Sequence, residues 1–231
     1  MKLRKIRFIY IGIFVLFSFF PACSQIKELS NDDKKLISEL GFDTELIQKI
    51  RSLTDSTFVK KIGNNEYWNF KNSLNYVDFL KKGLVGFQIS ESREKALMIV
   101  KQLREEFRAN GYFIYVSDFN FGYSPDIITV LKTNDKFDLL RFECTNGVNY
   151  DIYIEDVIDK ISGWDKKYGL DIVGVGFDFV RADYEKLPNN INQYVKDLYD
   201  FCPDIVNQGV GTVDALKREI ERTKELYLWW D

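Results

Sequence analysis

From Leu84 onward the apolar residues of this 231-residue chain change period repeatedly, and that alternation restricts the fold more than any other feature. Residues 84–89 form a short apolar run of strand length. Ser90 then stands as an N-cap, and Ala96, Leu97, Val100, Leu103 and Phe107 recur at helical spacing until Gly111 stops them. Residues 112–116 return to a strand, so 84–116 reads as a β-α-β unit. Residues 127–131 are a further strand, and 135–144 fit a helix or a strand, with Phe137, Leu140 and Cys144 leaning to a helix. Ile154, Val157, Ile158, Ile161, Trp164 and Tyr168 keep helical spacing. Glu155 and Asp156 open that segment and Lys166 and Lys167 close it, where the helix dipole favours them. Residues 170–175 and 179–184 have the pattern of a hairpin. Helices are expected over 190–201, ahead of Pro203, and over 212–224, with a terminal strand at 226–230. Strands joined both by hairpins and across helices require a mixed sheet with helices packed on it, so the fold class is α+β.

Upstream, Leu36, Ile37 and Leu40, then Leu46, Ile47, Ile50 and Leu53, recur at three and four, with breaks near Gly41 and Gly63. Residues 36–83 are therefore expected as a helical prefix to a single α+β domain over 84–231, and 23–35 as a polar tether. The opening MKLRKIRFIYIGIFVLFSFFPACSQ has basic residues and then an apolar run over 8–20, the pattern of a secretory signal. That run is shorter than the roughly 20 residues that span a bilayer comfortably. Phe20-Pro21-Ala22-Cys23 resembles a bacterial lipobox, which implies removal of 1–22 and lipidation of Cys23. An uncleaved anchor and ordinary signal cleavage are the alternatives. The expected partner is a membrane, reached through the N-terminal lipid, with the domain outside the cytoplasm in the bacterial cell envelope.

Residues 1–22 hold four of the 32 basic residues and none of the 35 acidic ones, so the remainder carries −7. A net-acidic domain with no basic stripe is a poor binder of phosphate backbones, and no nucleic-acid partner is expected. The chain has no histidine, which excludes Ser-His-Asp and Cys-His catalysis and imidazole-based zinc sites. No cofactor and no metal is expected. Gly174-Val175-Gly176 lacks the third glycine of a dinucleotide fingerprint. Gly209-Val210-Gly211 opens onto a helix at Thr212, whose backbone amides could hold an anion or simply be capped. Carboxylates remain as candidates for chemistry: Glu143, Asp151, Asp178, Asp204 and Asp231. Cys144 and Cys202 could close a disulfide worth about 4 kcal/mol in the chain-entropy model, but two buried free thiols are the preferred reading.

Four separated motifs occur in order: TNGVNYD over 145–151, the helix ending Trp164-Asp165 with Tyr168-Gly169 beyond, FCPDIVNQGVGTV over 201–213, and the terminal LYLWWD. Together they resemble a bacterial family, domain of unknown function 4253, over residues 126–231. The resemblance implies a shared fold across that span and no particular reaction. Asn146-Gly147 is a turn dipeptide that readily takes positive φ. Tyr227 and Trp229 should share one face of the last strand, with Leu228 and Trp230 on the other. Either both tryptophans are core and Asp231 keeps the end soluble, or a polar cleft gathers Asn146, Asn149, Tyr150, Asp151, Asp204, Gln208, Trp230 and Asp231. Three functions are compatible with these residues. The first is a membrane-tethered, non-enzymatic protein-binding module of the inhibitor or immunity kind, whose acidic surface recognises a basic partner. The second is a carboxylate-based envelope hydrolase, with or without a divalent metal, working through acids such as Asp151 and Asp204. The third is a structural envelope lipoprotein.

Overall fold

In the computed structural model, which describes residues 27–231, the chain turns helical earlier than its polar composition announces. The Ser30 hydroxyl accepts the Asp33 amide and the Asp33 carboxylate accepts the Ser30 amide, a reciprocal cap that starts α1 (Asn31–Leu40) inside the stretch expected as a tether. Arg51 fixes that turn with a buried 2.9 Å bond to Asp33. Gly41, with φ 63°, ends α1, and α2 (Thr44–Leu53) follows. The expected signal segment and the lipidation at Cys23 lie outside the described residues. Among the described residues no helix is long and apolar enough to cross a membrane.

The expected helical prefix also contains a strand. β1 (Val59–Ile62) and a single 3₁₀ turn at Tyr67–Asn69 precede α3 (Ser73–Leu80). Thereafter come β2 (Val85–Glu91), α4 (Arg93–Ala109), β3 (Tyr112–Asp118), β4 (Asp126–Lys132), α5 (Phe137–Glu143), α6 (Ile154–Tyr168), β5 (Leu170–Val175) and β6 (Phe179–Tyr184). The chain closes with α7 (Ile191–Phe201), a π-helical turn at Ile205–Val210, α8 (Val213–Thr223) and β7 (Glu225–Trp229). Ser92, not Ser90, precedes α4; Ser90 lies within β2 opposite Ile127, because that strand pairs with β4 as far as Glu91.

The seven strands form one mixed sheet in the order β1-β2-β4-β3-β5-β6-β7. All neighbours are antiparallel except β3 and β5. The β-α-β unit is real, but β4 is inserted between its two parallel strands. Helices cover both faces. Ile37 from α1, Ile47 and Ile50 from α2, and Ile99 and Phe107 from α4 pack on Phe87, Ile89, Ile128 and Val130. On the opposite face Leu139, Val157, Ile161 and Leu198 pack on Tyr115, Leu131, Val180 and Leu228. Cys144 and Cys202 are buried free thiols.

Candidate functional site

The terminal motif is held by a closed set of polar contacts. Asn146 shapes the loop beneath it: its Nδ2 donates to the Cys144 carbonyl at 2.9 Å and its Oδ1 accepts the Val148 amide at 3.0 Å. That loop brings Asn149 to the chain end, where Nδ2 donates to the Asp231 backbone oxygen at 2.7 Å. The Tyr150 hydroxyl donates to Asp204 Oδ1 at 2.5 Å, Gln208 Nε2 donates to the same oxygen at 3.1 Å, and the Asp231 amide donates to Asp204 Oδ2 at 3.0 Å. Burial raises the Asp204 carboxyl, but these donors outweigh it and hold the group below the usual carboxylate range. In return, the bond to Asp204 pushes the Tyr150 phenol up to about 12.

Trp230 is 3% exposed and meets the Phe201 ring edge-on at 5.7 Å. A Cβ on Gly147 would lie 2.7 Å from the Trp230 ring, so the glycine is required for close approach. Its φ is −130°, contrary to the positive φ expected of the Asn-Gly pair; the left-handed residues are Cys144 and Asp151 on either side. Asp151 is exposed and joins none of these bonds. Asn149, Tyr150, Asp204, Gln208, Trp230 and Asp231 therefore come together, Asn146 supports them from behind, and Asp151 stands apart. The group is a clamp on the end of the chain.

What the clamp steadies is a groove of about 340 Å³ along the outer side of β7, walled by Leu198, Ile205, Val210, Leu216 and Ile220 and entered past Arg93. β7 is the last strand, so its outer backbone groups have no neighbouring strand. Trp229 faces outward: Cys202 Sγ donates to its carbonyl at 3.0 Å and accepts its amide at 3.4 Å. Backbone direction alternates along a strand, so Leu226 and Leu228 bond to β6 while Tyr227 also faces outward. By that alternation the Tyr227 N–H and C=O point away from β6, and among the described residues no loop, helix or side chain bonds them. At the mouth, the Arg93 guanidinium sits 5.5 Å from the ring centroids of both Phe119 and Phe121 and forms no ion pair among the described residues. The other charges of the lining are matched, Arg181 with Glu225 and Glu219 with Arg222.

The groove wall and the clamp are built almost wholly from residues 146–231. Residues 127–231 match the family described as Domain of unknown function (DUF4253). No curated protein and no solved structure matches the chain. The DUF4253 span supplies every clamp residue and all of the groove wall except Arg93 and Phe121. The π-helical turn is the part of its FCPDIVNQGVGTV motif that sequence patterning reads as loop. Gly211, φ 83°, ends that turn, and Thr212 caps α8 with its own side chain at 3.1 Å from the Ala215 amide.

A second buried carboxylate lies in the same DUF4253 span. Glu143, 3% exposed, accepts two bonds from Lys61 Nζ at 2.7 and 2.9 Å and one from the Tyr115 hydroxyl at 2.7 Å. Lys61 also reaches Thr129 Oγ1 at 3.1 Å, and Thr129 meets Ser117 at 2.7 Å. Burial pushes the Glu143 carboxyl up, and the Lys61 charge only partly offsets it. The network borders a polar cavity of about 350 Å³ that also takes in Asp118 and Asp178. Burial raises the Asp178 carboxyl too. Among the described residues no three Cys, Asp or Glu side chains are placed to hold a metal ion. Glu143 and Asp178 stand out in the sequence as candidate acids; Lys61, Tyr115 and Thr129 come from three different strands and share no local signal.

Proposed function

We propose that this chain is a membrane-tethered protein-binding module of the cell envelope, of the inhibitor or immunity kind, and that it takes an extended segment of its partner along the outer edge of β7. The observation that carries the reading is the unpaired N–H and C=O of Tyr227 inside an apolar groove. An extended peptide laid against an open sheet edge supplies both missing bonds, and alternate side chains then enter the flanking pockets. Arg93 is the lining charge without an opposite partner, so the segment carries an acidic side chain or a carboxy terminus near that end. The charge of −7 carried by residues 23–231 favours a partner that is basic elsewhere on its surface.

Panning a random peptide library on the full-length chain in detergent tests this directly. Selected peptides should bind wild type and Tyr227→Ala alike, because alanine keeps the backbone donor. Tyr227→Pro removes only the outward N–H, which the sheet does not use, and should weaken binding about tenfold. Leu216→Trp fills the groove from α8 and should also block binding. Equal affinity in the alanine, proline and tryptophan variants would exclude the groove.

One observation favours a second reading, a carboxylate-based hydrolase: Glu143, with its raised carboxyl, borders a polar cavity next to Lys61. That reading requires turnover of a glycan or phosphoester that Glu143→Gln abolishes in a protein that remains folded.

A further inference from the structure

We infer that the β7 groove reads a short sequence pattern in its partner, an aspartate or glutamate between two apolar residues; the inference rests on the edge-pairing reading above and adds register and specificity to it. The length of the pattern follows from how the outward backbone of β7 is occupied. Glu225, Tyr227 and Trp229 are the residues that face away from β6. The Thr223 hydroxyl accepts the Glu225 N–H at 3.2 Å, and Cys202 Sγ takes both groups of Trp229. Both neighbours of the open position are thus plugged by side chains. A docked strand finds free backbone at Tyr227, so its pairing is centred on the single residue that lies opposite.

The pattern follows from the two faces of the sheet that the groove spans. Leu226, Leu228 and Trp230 point to the face covered by α7 and α8, whereas the Tyr227 ring lies 6.5 Å from Phe179, on the side of α4. Paired residues put their side chains on the same face in either strand direction, and successive residues alternate. The residue opposite Tyr227 therefore meets Arg93 and Phe121, and the residues before and after it turn toward Ile205, Val210, Leu216 and Ile220. That second surface calls for apolar side chains. On the first, the exposed Arg93 guanidinium is held 5.5 Å from the Phe119 and Phe121 centroids and has no hydrogen bond or ion pair among the described residues. Helix stability does not account for it: Arg93 opens α4, where the dipole disfavours a cation. Its free donors match a carboxylate. A terminal carboxylate would continue in the backbone plane of the docked strand, while Arg93 stands off one face, so the acid is a side chain.

Serine-rich peptides, acetylated and amidated so that no terminal charge contributes, test the pattern by fluorescence polarisation on the full-length chain in detergent. Their central residues are Leu-Glu-Leu, Leu-Lys-Leu or Ser-Glu-Ser. Wild type should bind Leu-Glu-Leu about fivefold more tightly than Leu-Lys-Leu, with the gap narrowing at high salt, and Ser-Glu-Ser most weakly. Arg93→Glu, which suits the start of α4, should reverse the order of the two leucine peptides while the circular dichroism spectrum stays unchanged. Val210→Ser, at an exposed position, should weaken both leucine peptides without altering their order. Equal binding of Leu-Glu-Leu and Leu-Lys-Leu by wild type, or an order that Arg93→Glu leaves in place, would overturn the pattern. Tyr227→Pro separates that failure from failure of the edge-pairing reading: peptides that bind without preference but are weakened by the proline refute the pattern alone. Peptides that bind the proline variant as tightly as wild type, or a Leu-Glu-Leu peptide that does not bind at all, refute both.

Discussion

At one edge of the sheet β7 is roofed by α8 and a π-helical turn, Cys202 takes up the outward groups of Trp229, and those of Tyr227 are left open. At the other edge β1 is four residues long and exposes Val59 and Ile62 to their surroundings. Unpaired strand edges invite association, and proteins ordinarily blunt them. Here each edge is blunted in part: β7 leaves outward backbone groups within a groove, whereas β1, also paired on one side only, is short and carries exposed Val59 and Ile62. Directional hydrogen bonds within a walled groove suit an ordered peptide. Each edge also leans on a buried carboxylate. Asp204 gathers neutral donors and stays below the usual carboxylate range, whereas at Glu143 burial outweighs the lysine.

The largest effect should come at the β1 edge. Lys61→Met leaves Glu143 buried without its cation and should cost about 3–5 kcal/mol in urea unfolding. Lys61→Met/Glu143→Leu should recover most of that loss; if it does not, the pair is not what steadies this edge. At the β7 edge, Gly147→Ala drives a methyl group into the Trp230 ring and should cost about 1–3 kcal/mol, read from the same unfolding curves. Crowding there should leave the β1 edge untouched, so Lys61→Met should cost the same with and without Gly147→Ala.

Smaller effects separate the two carboxylates by the sign of their pH dependence. Asp204 lies below its ordinary 3.8 in the folded chain, so its contribution is complete above that pH and is lost as the pH falls through the folded value. Asp204→Asn should cost about 1–2 kcal/mol at neutral pH, and the gap to wild type should close in acid. Glu143 lies above its ordinary 4.5, so its contribution is complete below that pH and is lost as the pH rises through the folded value. The gap between wild type and Glu143→Gln should therefore be widest in acid, as urea midpoints across the pH range would record. Parallel gaps in the two variants would erase the distinction. The smallest signal is spectroscopic: in Asp204→Asn the Tyr150 phenol should fall from about 12 toward its ordinary 10.0, followed by ultraviolet titration.

The mixed sheet, the hairpin of β5 and β6 and the terminal strand are legible in the sequence because each rests on local periodicity. Leu226, Leu228 and Trp230 are buried and Tyr227 is exposed, as alternation requires. The gathering of Asn149, Tyr150, Asp204, Gln208 and Asp231 is also legible, because their motifs are dense. Motif density shows that these residues meet, but it does not show that their bonding capacity is turned inward on the chain end. β1 escapes a periodicity reading since Lys60 and Lys61 interrupt four residues, and the first turn of α1 escapes it since Asp33 becomes buried only through Arg51, 18 positions away. The Tyr227 edge cannot be read from side chains at all, because the groups that matter there belong to the backbone.

Amide hydrogen exchange along β7 tests the central claim most directly. In the free chain Leu226 and Leu228, bonded to β6, should exchange slowly while Tyr227 between them exchanges fast, and a peptide selected on the groove should slow Tyr227 selectively. A Tyr227 amide as protected as its neighbours before any peptide is added would mean that the edge is already closed, and the peptide-binding account would fail with it.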